Sequence, residues 1–317
     1  MNRTLVIALG GNALGQTPEA QRAAVRAAAA RIADLVQAGN RVVLTHGNGP
    51  QVGIIHLAFD LADAADPQIP TMPFPECTAM SQGYIGWHLQ GALSDALRAR
   101  GAACAVATVV TQVVVDPADP AFRHPSKPVG LFYPEAEAMR IAAAHGQAFI
   151  EDAGRGWRRV VPSPEPVDIV EAESIRTLVA AGSLVVACGG GGVPVCRNPE
   201  TGSLAGMDAV IDKDKAAARL AMLVGADRLV ILTTVPFAAL DYRTPAQRWI
   251  PRMTVSEARR FCAEGHFAEG SMLPKVQAGI AFASSGAGRE TVIAHLEDAG
   301  KAVSGAAGTR IVPDGAT

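Results

Sequence analysis

The sequence predicts an α/β fold with a mostly parallel central sheet, on three observations. Apolar strand-like runs alternate with Ala-rich segments of helical period along most of the 317 residues. Hydrophobic residues make up 49% but aromatics only 5%, so aliphatic side chains must fill the core, as in parallel sheets covered by helices. Glycine clusters stand directly after several of the strand-like runs.

The elements follow in order. Leu5 to Leu9 reads as a buried strand ending in Gly10-Gly11-Asn12, and Glu19 to Ala38 as a helix stopped by Gly39. Arg41 to Thr45 is a second strand, followed by His46-Gly47-Asn48-Gly49-Pro50 as a loop. Thr78 to Arg100 is a long helix, and Ala103 to Val115 holds one or two strands. Eight prolines between Asp116 and Pro166 then break regular structure, so residues 117–165 are expected to form an inserted, protruding subdomain of hairpins around a helix Glu135 to His145.

Alternation resumes with helix Glu171 to Ala181, strand Leu184 to Cys188 and the run Gly189 to Gly192. Val193 to Arg197 and Leu204 to Ile211 read as a hairpin. A helix from Lys213 to Leu223, strand Arg228 to Thr234, helices Thr254 to Ala263 and Pro274 to Ser284, and strands Glu290 to His295 and Thr309 to Val312 complete the chain. Ligands of such sheets bind beyond the carboxyl ends of the strands, which singles out the loops after Leu9, Thr45, Cys188 and Thr234.

Composition narrows the function. The formal charge is −2, so no basic excess marks a nucleic-acid surface. Five cysteines without a Cys-x-x-Cys pair fit a reducing, cytoplasmic setting. No apolar run predicts a membrane span, and the opening apolar stretch is too short for a signal peptide. The Walker-A, dinucleotide and zinc signatures are missing, and no metal-ligating residues are assigned.

Two signals remain. Three glycine-bearing loops in register favour a phosphate cradle over plain tight turns. Only five lysines occur, and Lys213 and Lys275 each fall at a predicted helix start, where a cation opposes the helix dipole and an anionic ligand would justify it. Lys127 sits in the Pro-bounded loop of the subdomain. Cations converging on phosphates suit phosphoryl transfer, whose loose transition state needs positioning and charge.

Motifs in order along nearly the whole chain resemble carbamate kinase: Gly10-Gly11-Asn12-Ala13, His46 to Gly53, Gln112 to Asp116, Lys127 to Gly130, Glu151 to Pro164, Cys188 to Gly192, Ile211 to Asp214 and Gly270 to Lys275. The resemblance implies a single amino-acid-kinase-like domain over residues 1–317, a three-layer α/β/α sandwich. Its acceptor-side lobe would span about residues 1–180 and its nucleotide-side lobe about 181–317. It further implies a homodimer, the substrates carbamate, carbamoyl phosphate and ATP/ADP, and Mg²⁺.

By the same resemblance Gly10, Gly11, Asn12, Gly47, Asn48 and Gly49 bind the acceptor. Lys127, Lys213, Asp214 and Lys275 are catalytic, with Asp214 orienting the lysines. Gly190, Gly191, Lys213, Thr233, Val235, Tyr242, Met272 and Lys275 would bind the nucleotide. Relatives such as acetylglutamate kinase carry a lysine two residues before the first Gly-Gly. Ala8 stands there in this chain, and Lys127 would supply the missing charge. Around Thr233 to Phe237 the chain departs from the family pattern.

Arg155, Arg158 and Arg159 are expected to make structural ion pairs or subdomain packing. His46 is expected to be a turn residue and not a base, because carbamate oxygen is already anionic. Asp212 is expected to cap the following helix. The family resemblance points towards ATP formation in arginine or purine breakdown.

Overall fold

The computed structural model describes residues 3–10, 17–152 and 154–315. Its first half runs β1 (Thr4–Leu9), α1 (Pro18–Gln37), β2 (Arg41–His46), α2 (Gly49–Ala65), α3 (Phe74–Arg98), β3 (Val106–Thr108) and β4 (Gln112–Val114). The subdomain supplies β5 (Lys127–Tyr133), α4 (Glu135–His145), β6 (Ala148–Glu151) and β7 (Trp157–Val161). Then come β8 (Asp168–Ile169), α5 (Ala172–Ala180), β9 (Leu184–Val186), β10 (Val193–Arg197), β11 (Leu204–Gly206) and α6 (Lys213–Leu223). The chain closes with β12 (Arg228–Thr233), β13 (Ala238–Leu240), β14 (Arg248–Ile250), β15 (Arg252–Thr254), α7 (Val255–Ala263), α8 (Met272–Ala283), β16 (Glu290–His295), α9 (Ala299–Ser304) and β17 (Thr309–Val312).

The central sheet has strand order β15-β17-β16-β12-β1-β2-β9-β3, and only the β16–β17 pairing is antiparallel. Side chains alternate across it as the pleat requires. Leu5, Ile7 and Leu9 face one buried cluster with α1, α3 and α9, whereas Val6 and Ala8 face a second with α5, α6 and α8. Two apolar faces on one sheet produce the three layers.

Local chemistry sets the boundaries. Thr17 accepts a hydrogen bond from the Ala20 amide and opens α1 with Pro18 in its first turn. Thr254 and Glu257 form a reciprocal capping box on α7. Leu204 to Ile211 was expected to be one strand, but β11 stops at Gly206. Beyond it the Asp208 carboxylate accepts from the Phe74 amide at 3.1 Å and the Val210 amide donates to the Pro162 carbonyl at 2.9 Å. Those bonds tie the segment to α3 and the subdomain and take it out of the ladder. No helix among the described residues is long and apolar enough to cross a membrane.

β5, β7 and β6 form a three-stranded antiparallel sheet outside the main one. It rests on α2 and the start of α3 through Val52, Phe74, Cys77, Val129, Val161 and Val210. The contact is backbone-close: a Cβ on Gly53 would lie 2.1 Å from the Gly130 nitrogen. Alanine normally improves a helix interior by about 1 kcal/mol over glycine. Gly53→Ala is expected to do the reverse and lift the subdomain off α2. Faster hydrogen exchange across Lys127–Tyr133 would register this; unchanged exchange would contradict it.

Candidate active site

The carboxyl ends of β1, β2, β9 and β12 bring the glycine-bearing loops side by side. Gly10 donates its amide to Leu232 carbonyl at 3.1 Å, and Gly47 to Leu9 carbonyl at 3.3 Å. Gly11 and Asn12 lie outside the described residues. Asn48 is buried, and its amide donates to Ser81 Oγ at 2.8 Å. Gly190 and Gly191 have positive φ and no room for a side chain: a Cβ would lie 2.1 Å from the Asn48 amide nitrogen or 2.2 Å from the Ile211 carbonyl oxygen. These two glycines let the loop after β9 wedge between the loop after β2 and the segment entering α6. That packing accounts for them as glycines without any ligand.

The segment entering α6 carries the charges. Asp212 caps the helix, its Oδ1 accepting from the Asp214 amide at 2.8 Å. Its Oδ2 accepts from Lys127 Nζ, which reaches in from the subdomain. Asp214 Oδ2 accepts from Lys213 Nζ at 3.1 Å and from Lys275 Nζ, in the first turn of α8, at 2.9 Å. Three ammonium groups, from chain positions 127, 213 and 275, thus meet two carboxylates and leave one positive charge in excess.

Electrostatics hold the cluster ionised. Burial alone would raise the Asp212 carboxyl, but Lys127, Lys213 and Lys275 outweigh it and hold the group far below the usual carboxylate range. Asp214 behaves likewise, burial being overcome by Lys213 and Lys275. Burial pulls Lys275 down, opposed by Asp214, whereas the two neighbouring carboxylates overcome burial at Lys213 and raise it.

The model of the Amino acid kinase family matches residues 3–295. The chain belongs to the amino acid kinase family. It is 50% identical over 311 residues to the carbamate kinase-like protein YqeA of Escherichia coli, covering 98% of this chain and 99% of that one. It is 49% identical to the carbamate kinase of Pyrococcus horikoshii over 318 residues, 99% of this chain and all of that one. The carbamate kinase of Giardia lamblia bound to citric acid superposes with a TM-score of 0.91 at 44% identity, covering 99% of both chains. The same protein bound to AMP-PNP gives a TM-score of 0.87 over the same share of both chains. The protein is therefore a kinase phosphotransferase with the three-layer fold of that family.

The other residues singled out in this kinase are placed less centrally. Thr233 ends β12, and Val235 lies half-buried in the bend that follows. Tyr242 is exposed near Trp249, their ring centroids 6.2 Å apart, and Met272 packs half-buried at the start of α8. None of the four is hydrogen-bonded to the lysine–aspartate cluster. Arg155 and Arg158 pair with Asp152 and lie over the Phe132 ring, and Arg159 lies over Phe74. Arg158 also donates to the Gly130 carbonyl at 3.1 Å, which stiffens the subdomain beside Gly49.

The sequence reading missed two contacts. The Lys127–Asp212 pair spans 85 positions, so no local pattern announces it. Ser81 reads as one more polar residue in α3 until Asn48 is placed against it.

His46 is wholly buried, its Nδ1 3.1 Å from the Gly47 carbonyl, and burial pushes its imidazole down to about 4. Between that value and about 6.5 the unfolded chain binds a proton that the folded chain refuses. Stability is therefore expected to fall by about 3 kcal/mol as pH drops through this window. Urea midpoints at pH 7 and pH 4.5 check it. The acid sensitivity should shrink in His46→Gln, and a midpoint equally pH-dependent in that variant would assign it elsewhere.

Proposed function

We propose that this kinase is a carbamate kinase, interconverting ATP plus carbamate with ADP plus carbamoyl phosphate. The observation that carries the reading is the three-lysine cluster held by Asp212 and Asp214. Each lysine can leave its carboxylate for a phosphoryl oxygen without leaving a buried acid bare, because the other ammoniums stay beside it. Lys127 would meet the transferring phosphoryl, while Lys213 and Lys275 steady the nucleotide phosphates. Gly10, Gly11, Asn12, Gly47, Asn48 and Gly49 would hold the acceptor, in a lobe of about residues 1–180, against a nucleotide lobe of about 181–317. Gly190, Gly191, Thr233, Val235, Tyr242 and Met272 would flank the nucleotide.

Chemistry at the acceptor supports the choice. Ala8 is wholly buried in β1 and brings no charge to the loop after it; of the cations near the acceptor side, Arg158 is tied to Asp152 and the Gly130 carbonyl, which leaves Lys127 for the phosphoryl group. A carbamate oxygen attacks phosphorus as an anion and needs no base, which suits a buried, neutral His46.

Among the described residues no three His, Cys, Asp or Glu side chains gather as a metal site. Lysines occupy Oδ2 of both Asp212 and Asp214, and the unpartnered Asp214 Oδ1 is a single oxygen among three ammonium groups, so the described residues do not fit a protein-held ion. Mg²⁺ enters this reading as the counterion of ATP or ADP, part of the substrate.

The same reading places the enzyme in the cytoplasm, running towards ATP in arginine or purine breakdown. It acts as a homodimer, for which α3 offers exposed Met80 and Trp87 beside Gly83 and Gly91, both open to solvent. Trp87→Asp is expected to halve the sedimenting mass; an unchanged mass would remove α3 from the interface.

The deciding assay is ATP formation from ADP, Mg²⁺ and fresh carbamoyl phosphate, with acetyl phosphate as comparison donor. Preferred use of carbamoyl phosphate is expected. Preference for acetyl phosphate, or no ATP from folded protein, would overturn the assignment.

A further inference from the structure

A cleft of about 420 Å³ opens at the amino-terminal edge of the central sheet, across the molecule from the lysine cluster. Its volume falls within the roughly 300–1,000 Å³ typical of ligand pockets. Arg3, Asp227, Arg228, Arg289 and Glu290, which stand where β1, β12 and β16 begin, line it. Nothing in the phosphoryl-transfer reading uses this edge.

The acids of the cleft are already engaged. Asp227 accepts from the Thr4 amide at 2.7 Å. Glu290 takes Arg228 on one oxygen and Arg310 on the other, the latter at 2.7 and 3.0 Å. Among the described residues Arg3 has no acidic partner, and the Arg289 side chain donates to Ser285 Oγ at 2.7 Å while lying over the Phe282 ring. Arg228 is 7% exposed, and its Nε is buried without a hydrogen-bond partner. Three guanidinium groups and two carboxylates line the cleft, and Arg310 reaches Glu290 from outside it, so Arg3 and Arg289 are left facing the concavity without an acid among the described residues. The crowding is felt: burial, then Arg3 and Arg310, push Arg228 down to about 10.

We propose that this cleft is a second anion site, binding a small molecule with at least two anionic oxygens, such as a phosphate or a dicarboxylate. Arginine forks suit such groups because two parallel N–H donors match two oxygens of one anion. Arg3 and Arg289 supply the free donors at the rim. Arg228 supplies the buried charge beneath them.

The test is calorimetric titration of the full chain, saturated with AMP-PNP, using inorganic phosphate in one arm and succinate in the other. At least one probe is expected to bind with a single site. In the Arg3→Ala, Arg289→Ala double variant that binding should weaken at least tenfold in protein shown to be folded, with turnover unchanged because both residues sit away from the lysine cluster. Stronger binding of phosphate or of succinate identifies which of the two the cleft takes. Failure of both probes to bind, or equal binding by the double variant, would overturn the proposal. Neither result depends on which acid the kinase phosphorylates.

Discussion

Replacing Lys127 with alanine is expected to lower turnover by about a hundredfold or more, a loss of about 2.7 kcal/mol in transition-state stabilisation. Lys127 is the cation that the subdomain delivers to the cluster, and Ala8 leaves no substitute for it at the end of β1. A cation aimed at a transferring phosphoryl can contribute as much as ~10³–10⁵ in rate. The fold should survive. Asp212 keeps its cap on α6 and stays beside Lys213 and Lys275, so stability should fall by no more than about 3 kcal/mol. The informative split is kinetic, with kcat falling while the KM for ADP moves little, because in the proposed reading Lys213 and Lys275 serve the nucleotide. A near-normal kcat in a folded Lys127→Ala protein would remove the residue from the chemistry.

Asp214→Ala is expected to act mainly on stability. It leaves the buried Lys275 and the partly buried Lys213 facing each other with their shared carboxylate gone. Breaking a buried ionic cluster in this way costs about 3–5 kcal/mol. That is a large part of the ~5–15 kcal/mol that holds a typical domain. The sign of the pH dependence is specific. Without Asp214 both lysines are easier to deprotonate in the folded chain than in the unfolded one, so the deficit should narrow as pH rises towards 10. Denaturant midpoints at pH 7.5 and 9.5 for parent and variant measure this. A deficit that stays constant would mean that the two ammoniums do not repel.

Much of the molecule was legible in the sequence because its signals are local. β10, α4 and α6 start and stop where the period and the end residues place them: α6 begins directly after the capping Asp212, and α4 ends at Gly146 with φ of 64°. The helix Gly49–Ala65 was not legible, because its first five residues hold Gly49, Pro50 and Gly53 and read as loop. Gly53 stays in the helix because Gly130 leaves no room for a larger residue, a reason visible only once the subdomain is docked. The site divides along the same line. Lys213 and Asp214 are neighbours, and their pairing follows from one helix start. The arrival of Lys275 and Lys127 depends on α8 and the subdomain packing against that start, and no short window of sequence encodes such packing.

Asp212 divides its two oxygens between separate tasks, Oδ1 for the α6 amides and Oδ2 for Lys127. A subdomain that swings away therefore withdraws from only one of them. The helix bearing Lys213 would then keep its first turn wound, because the Asp214 amide still donates to Oδ1. In the proposed reading, admission of substrate and integrity of the helix that would grip the phosphates are thereby mechanically insulated from each other within a single carboxylate.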